Sequence, residues 1–210
     1  MTKPKLLILA ALQNESRAIH KAIPDWKSRN IHFLTIAIRA RRLPDLRQFQ
    51  PIQAIILAGL AGGLDPSLHV GDVIVDADDS FAGRLGSLRP GKIHTASKMV
   101  ATPEAKQLLF VQTGAAAVDM EQSAVRAVSL LLNVPFIGIR AISDTAGDSL
   151  APMILSWIDE IGSPRPVVIA RDLLLRPRSW GIARKLARDS RIALIALGNT
   201  VARIVEKVSS

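Results

Sequence analysis

Cysteine and tyrosine are both absent from the 210 residues. Without cysteine there is no disulfide framework and no thiolate chemistry, which fits a cytoplasmic setting. Aromatic residues make up only 4% of the chain, too few to build the stacking platforms of single-stranded nucleic-acid binders. No apolar run approaches the ~20 residues of a membrane-spanning helix. The four histidines, His20, His32, His69 and His94, show neither His-x-His nor His-Glu-x-x-His spacing, so no metal site and no cofactor are expected. There is no P-loop, no GxGxxG and no nucleophile elbow.

Apolar residues account for 49% of the chain, enough for one sizeable core, and the length suggests one domain. The net charge of +9 leaves nucleic acid, an anionic membrane or an anionic substrate as partners. Much of the excess lies late, at Arg165, Arg171, Arg176, Arg178, Arg184, Lys185, Arg188 and Arg191. It is a local basic surface without a nucleic-acid motif, which disfavours nucleic acid. The N-terminal Met1–Ala11 stretch superficially resembles the basic and apolar regions of a signal peptide. Its apolar part is short and runs straight into Gln13, Asn14, Glu15 and Ser16, so it reads as a first buried strand.

Residues 6–11, 31–38, 53–58, 73–75 and 135–141 read as strands, several of them continuously apolar as buried sheet strands are. Residues 15–22 and 121–132 carry helical spacing, with Glu121, Ala124, Val125, Val128 and Leu132 on one face. Strands interleaved with helices predict an α/β fold, a single domain with a mixed central sheet flanked by helices. Residues 78–92 read as a loop. From Leu150 onward the chain is expected to be mostly helical, broken at Pro164, Pro166 and Pro177, with Ser179 capping a long last helix. Residues 164–210 then form a basic helical extension of the domain.

Three segments carry chemistry. Leu57-Ala58-Gly59-Leu60-Ala61-Gly62-Gly63-Leu64-Asp65-Pro66 follows a buried strand; its glycines suit either a tight turn or a close ligand approach. Ala115-Ala116-Ala117-Val118-Asp119-Met120-Glu121 places acidic residues at a helix start. Asp119 suits a helix-terminal role, whereas Glu121 on the inward face needs a partner or a ligand. Phe136-Ile137-Gly138-Ile139-Arg140-Ala141-Ile142-Ser143-Asp144 ends a buried strand on an aspartate that is either a cap or a catalyst.

In this order and spacing, together with Val70-Gly71-Asp72-Val73-Ile74-Val75, the segments resemble the nucleoside phosphorylase/nucleosidase family. The methylthioadenosine/S-adenosylhomocysteine nucleosidases are nearest in flavour. The resemblance covers roughly residues 6–147 and implies cleavage of a purine nucleoside's N-glycosidic bond with release of adenine. It assigns Asp144 as the acid that protonates the departing purine at N7, with Ser143 supporting it. Glu121 becomes the carboxylate that holds the ribose 2′-hydroxyl, with Met120 beside the sugar. Glu15, at the end of Ala11-Leu12-Gln13-Asn14-Glu15, takes the place of a water-activating base. Gly62, Met99 and Val100 fall where the family lines its substrate.

The chain also departs from the family pattern. A glycine-rich turn usually follows the second strand, but here it reads Ala37-Ile38-Arg39-Ala40-Arg41-Arg42, and Leu60 replaces a serine found in many relatives. Arg39 could meet a phosphate co-substrate, which would favour phosphorolysis, whereas Glu15 favours hydrolysis by a modest margin. A non-catalytic descendant that binds a nucleoside or a membrane is the alternative. The segment between Asp76 and Met99 is short, which opens the sugar's 5′ side. With the arginine-rich tail, this resembles the hopanoid-associated members acting on adenosylhopane. That likeness implies a lipid-linked substrate and peripheral membrane contact through the basic C-terminal helices. Homo-oligomers are common in the family, and one is expected here.

Overall fold

Strands covered on both faces need apolar residues at every position, and the sheet centre is built from such runs. In the computed structural model, residues 5–81, 83–86, 88–157, 159, 165–176 and 179–209 are described. Strands β1 (Lys5–Ala10), β2 (Ile31–Thr35), β3 (Ile52–Gly63) and β8 (Phe136–Asp144) lie parallel in the order β2-β1-β3-β8. Strand β4 (Val73–Ala77) continues the sheet antiparallel to β8, and β5 (Arg89–Pro90) lies beside it. At the far end of β3, β7 (Ala117–Asp119) pairs antiparallel through Gly62 and Gly63, and β6 (Ile93–Thr95) pairs with β7.

Alternation along the strands feeds two cores. Leu6, Ile8 and Ala10 of β1 face the same way as Ala54, Ile56 and Ala58 of β3, against Ile19 of α1 (Gln13–Ala22). That face is closed by Leu197, Val201, Ile204 and Val208 of α5 (Ser179–Ser209). Leu7, Leu9, Ile55, Leu57 and Phe136 point to the opposite face, where Val125 of α3 (Gln122–Leu131) covers them. The last helix is therefore basic in its first half and core-forming from Ala193 onward. It crosses α1 at Gly198, where an added Cβ would lie 2.9 Å from the Ala18 carbonyl oxygen. The remaining helices are α2 (Pro103–Thr113) and α4 (Pro166–Leu175). The breaks expected at Pro164 and Pro177, and Arg178 of the basic surface, lie outside the described residues.

Several boundaries differ from the sequence reading. Strand β2 stops at Thr35 because Ala37, Arg39 and Ala40 all take positive φ, at 60°, 59° and 54°. Strand β3 runs through the glycine segment and ends at Gly63, none of its glycines at positive φ, so no tight turn interrupts it. Helix α3 begins at Gln122, so Glu121 is its N-cap residue and Ala124 is exposed. Helix α2 lacked an apolar period because the one helix residue it fully buries is Lys106, while Leu108 and Val111 are exposed. Its ends follow ordinary rules all the same. Thr102 caps the Ala105 N–H, Pro103 occupies the first turn, and Gly114 closes the helix in the left-handed conformation.

Candidate active site

Parallel α/β sheets present ligands at the carboxyl ends of their strands. A cavity of about 200 Å³ opens there, beyond β1, β3 and β8. It is lined by the carboxylates of Glu15, Glu121 and Asp144, together with Gly62, Ser143 and the apolar side chains of Met99, Val100 and Met120. All the residues singled out in the sequence thus meet in one place, with a single exception. Arg39 is exposed and reaches the site only through its backbone N–H.

Glu15 sits in the first turn of α1 and is 3% exposed. Its Oε1 accepts from the Leu60 N–H at 2.8 Å and its Oε2 from the Leu12 N–H at 2.8 Å. Burial pushes its carboxyl up to about 7; those two N–H bonds and Arg140 pull the other way without cancelling the effect. A carboxyl poised near neutrality can take a proton at neutral pH, as a general base must. The approach needs Gly59. A Cβ there would stand 2.9 Å from Glu15 Oε1, so the glycine serves proximity rather than an unusual φ.

Glu121 makes no side-chain cap bond to α3. Its Oε1 instead accepts from the Arg39 N–H at 2.8 Å. The positive-φ turn at residues 37–40 therefore survives without glycine and aims a backbone donor at the site. Burial raises the Glu121 carboxyl, with Arg140 and the Arg39 N–H opposing. Asp119, two residues earlier, has the structural role. It accepts from the Gln122 N–H at 2.8 Å and from Thr95 Oγ1, and it pairs with Arg140.

Arg140 of β8 is one half of an ion pair inside the sheet. Its guanidinium is 1% exposed, bonds Asp119, and donates to the Leu57 and Ile139 carbonyls at 3.0 Å each. Desolvation works against its charge, but the charges of Asp119, Glu121 and Glu15 outweigh that and keep it protonated. One buried cation thus sits beneath two of the cavity's carboxyls.

Asp144 ends β8 and caps no helix. Its Oδ1 accepts from Ser143 Oγ at 2.9 Å and its Oδ2 from Lys106 Nζ at 2.5 Å. Gly62 makes room for it, since a Cβ there would lie 3.1 Å from Asp144 Oδ2. Lys106 is fully buried and escaped the sequence reading, because a lysine in an exposed-looking helix carries no signal of burial. Among the described residues no group of three or more His, Asp or Glu is arranged to hold a metal ion. No helix among them is long and apolar enough to cross a membrane.

Residues 77–165 match the model of the Phosphorylase superfamily. The 5′-methylthioadenosine/S-adenosylhomocysteine nucleosidase of Anoxybacillus flavithermus is 31% identical, over 49% of this chain and 60% of the relative. The chain therefore spans about 60% of the length of the curated relatives it matches. Among solved structures, the same type of nucleosidase from S. pneumoniae superposes with a TM-score of 0.68 at 16% identity, covering 96% of this chain and 98% of that one. Futalosine hydrolase of Helicobacter pylori superposes with a TM-score of 0.64 at 17% identity, covering 98% and 97%. At those identities the superpositions speak for the fold. The matched segment resembles the phosphorylase superfamily, and the superpositions show that the chain shares the fold of these nucleosidases.

Proposed function

We propose that the chain hydrolyses the N-glycosidic bond of an adenine nucleoside. The observation that carries this is the convergence of Glu15, Glu121 and Asp144 on one cavity. Breaking a ribosyl C–N bond builds positive charge on the sugar and negative charge on the leaving purine. Glu121 at the sugar holds the ribose 2′-hydroxyl and stabilises the cationic ring, and fixed charges of this kind act strongly in a water-poor site. Asp144, steadied by Ser143, delivers the proton to the purine. Met120 packs on the sugar, while Met99 and Val100 cover the base. Relatives named as nucleosidases support the reaction class.

Water is the nucleophile in this reading. Glu15 is a buried carboxyl with its pKa near neutrality, suited to take a proton from water, and the Arg39 side chain is exposed rather than turned into the cavity. Phosphate remains the competing co-substrate. The 5′ group of the substrate is bulky in this reading, with the lipid of adenosylhopane as the specific case. The exposed Leu174, Leu175 and Trp180 lie among Arg171, Arg176 and Arg184, a combination suited to the headgroup region of an anionic membrane. The protein then works as a cytoplasmic homo-oligomer with peripheral membrane contact.

The test is adenine release from nucleosides bearing hydroxyl, thioether and lipid 5′ groups, each with and without phosphate. Phosphate-independent release, fastest with the lipid group, is expected. Strict phosphate dependence would remove Glu15's role, and no release from any of the three would overturn the proposal.

A further inference from the structure

Lys106 is the one fully buried lysine among the described residues, and nothing in the family resemblance assigns it a task. From the first turns of α2 its Nζ donates to Asp144 Oδ2 at 2.5 Å, to the Thr145 carbonyl at 2.7 Å and to the Asp148 carbonyl at 3.0 Å. Three acceptors, two of them carbonyls that can only accept, use all three N–H bonds of an ammonium group. The carboxylate of Asp148 is engaged elsewhere, by Lys185 of α5 at 3.0 Å and by the Thr145 N–H and hydroxyl. Asp144 is thus the carboxylate that compensates the buried charge. A methionine of similar length would fill the same space without the cost of burying a cation. What lysine adds is a charge and a proton directly behind Asp144.

We propose that Lys106 is a positioning residue for base release: it fixes Asp144 against the cavity and stores the proton that Asp144 passes to the departing purine. The inference rests on the nucleosidase reading of the site. As the C1′–N9 bond breaks, its electron pair passes into the purine ring. A proton moves from Lys106 Nζ to Asp144 and from Asp144 to purine N7, leaving a neutral amine and a carboxylate. The attacking water's oxygen bonds C1′ and its proton goes to Glu15. Proton exchange with solvent after release returns Lys106 to the ammonium and Glu15 to the carboxylate. The other titratable groups facing the pair across the cavity are Glu121, Glu15, Asp119 and Lys98. Glu15 acts as a base, so it governs the acid limb of the rate profile, and loss of Lys106 is felt on the alkaline side, where solvent protons are scarce.

The test is the pH dependence of kcat/KM for adenine release by wild-type protein, Lys106→Met and Lys106→Gln. Without the stored proton, Asp144 must collect one from solvent before each turnover. The alkaline limb then moves to lower pH, and the deficit of both variants grows about tenfold per pH unit between the new limb and the wild-type one. A uniform loss with an unmoved limb would overturn the proposal. A measurement on unmutated protein covers the case in which the variants fail to fold. In protein carrying 13C,15N-lysine, the Lys106 Nζ resonance of the resting protein should be that of an ammonium hydrogen-bonded to Asp144; a neutral amine there would equally overturn it. No adenine release by wild-type protein from any nucleoside would instead remove the nucleosidase reading itself.

Discussion

Glu15 makes stability fall as pH rises, and the size of that effect can be worked out from its surroundings. Its carboxyl is raised from 4.5 to about 7, chiefly by burial. Between those values the folded protein holds a proton that the unfolded chain has released. The contribution to stability is therefore complete below about 4.5 and is lost as pH climbs through about 7. At ~1.36 kcal/mol per pKa unit, the loss is about 3 kcal/mol, or about 6–12 °C in unfolding midpoint for a chain of this size. Other groups also titrate in this range, Glu121 among them, so the comparison must be with Glu15→Gln, in which that one titration is gone. Urea unfolding of both proteins from pH 4 to 8.5 should show wild type losing about 3 kcal/mol relative to the variant across the range. Parallel curves would refute the buried, ligand-poor environment assigned to Glu15. The same ionisation should appear in catalysis as an acid limb near pH 7, because only the carboxylate can accept water's proton.

Gly59→Ala should leave the backbone undisturbed but press a Cβ to 2.9 Å from Glu15 Oε1. Losing the charge-assisted bond to the Leu60 N–H costs about 1–3 kcal/mol in urea unfolding, while displacing the base lowers kcat/KM by roughly 10²-fold; unchanged activity would contradict the placement of Glu15. Arg140→Leu strands Asp119 in the interior and should destabilise the fold by about 3–5 kcal/mol by chemical unfolding. Adding Asp119→Leu should recover part of that loss, and a double variant as destabilised as the sum of the two single ones would show that the pair is not coupled.

The central sheet was legible because buried parallel strands write themselves as unbroken apolar runs, and Leu6–Ala10 and Ala54–Ala58 are such runs. The carboxylates were legible because Glu121 and Asp144 sit at element ends, where sequence and ligand both concentrate. The glycines of β3 left a turn and a close approach both open, because glycine signals positive φ and close approach alike. At Gly59 and Gly62 the reason is close approach, to side chains 44 and 82 residues distant along the chain. The turn after β2 lacks the family's glycines, yet Ala37, Arg39 and Ala40 adopt the positive φ themselves, and the Arg39 N–H reaches Glu121. Lys106 was invisible for a related reason. Its burial is decided by Asp144, Thr145 and Asp148, none of which lies near it in sequence.

The account stands on Asp144 as the group that delivers a proton to the leaving base. Asp144→Asn keeps an oxygen acceptor for Lys106 but removes its counter-charge, so the variant should unfold at a lower temperature, and its circular dichroism must first show it folded at the assay temperature. Adenine release per folded site should then fall by about 10²–10⁴-fold relative to wild type. A folded Asp144→Asn protein releasing adenine at the wild-type rate would contradict the mechanism.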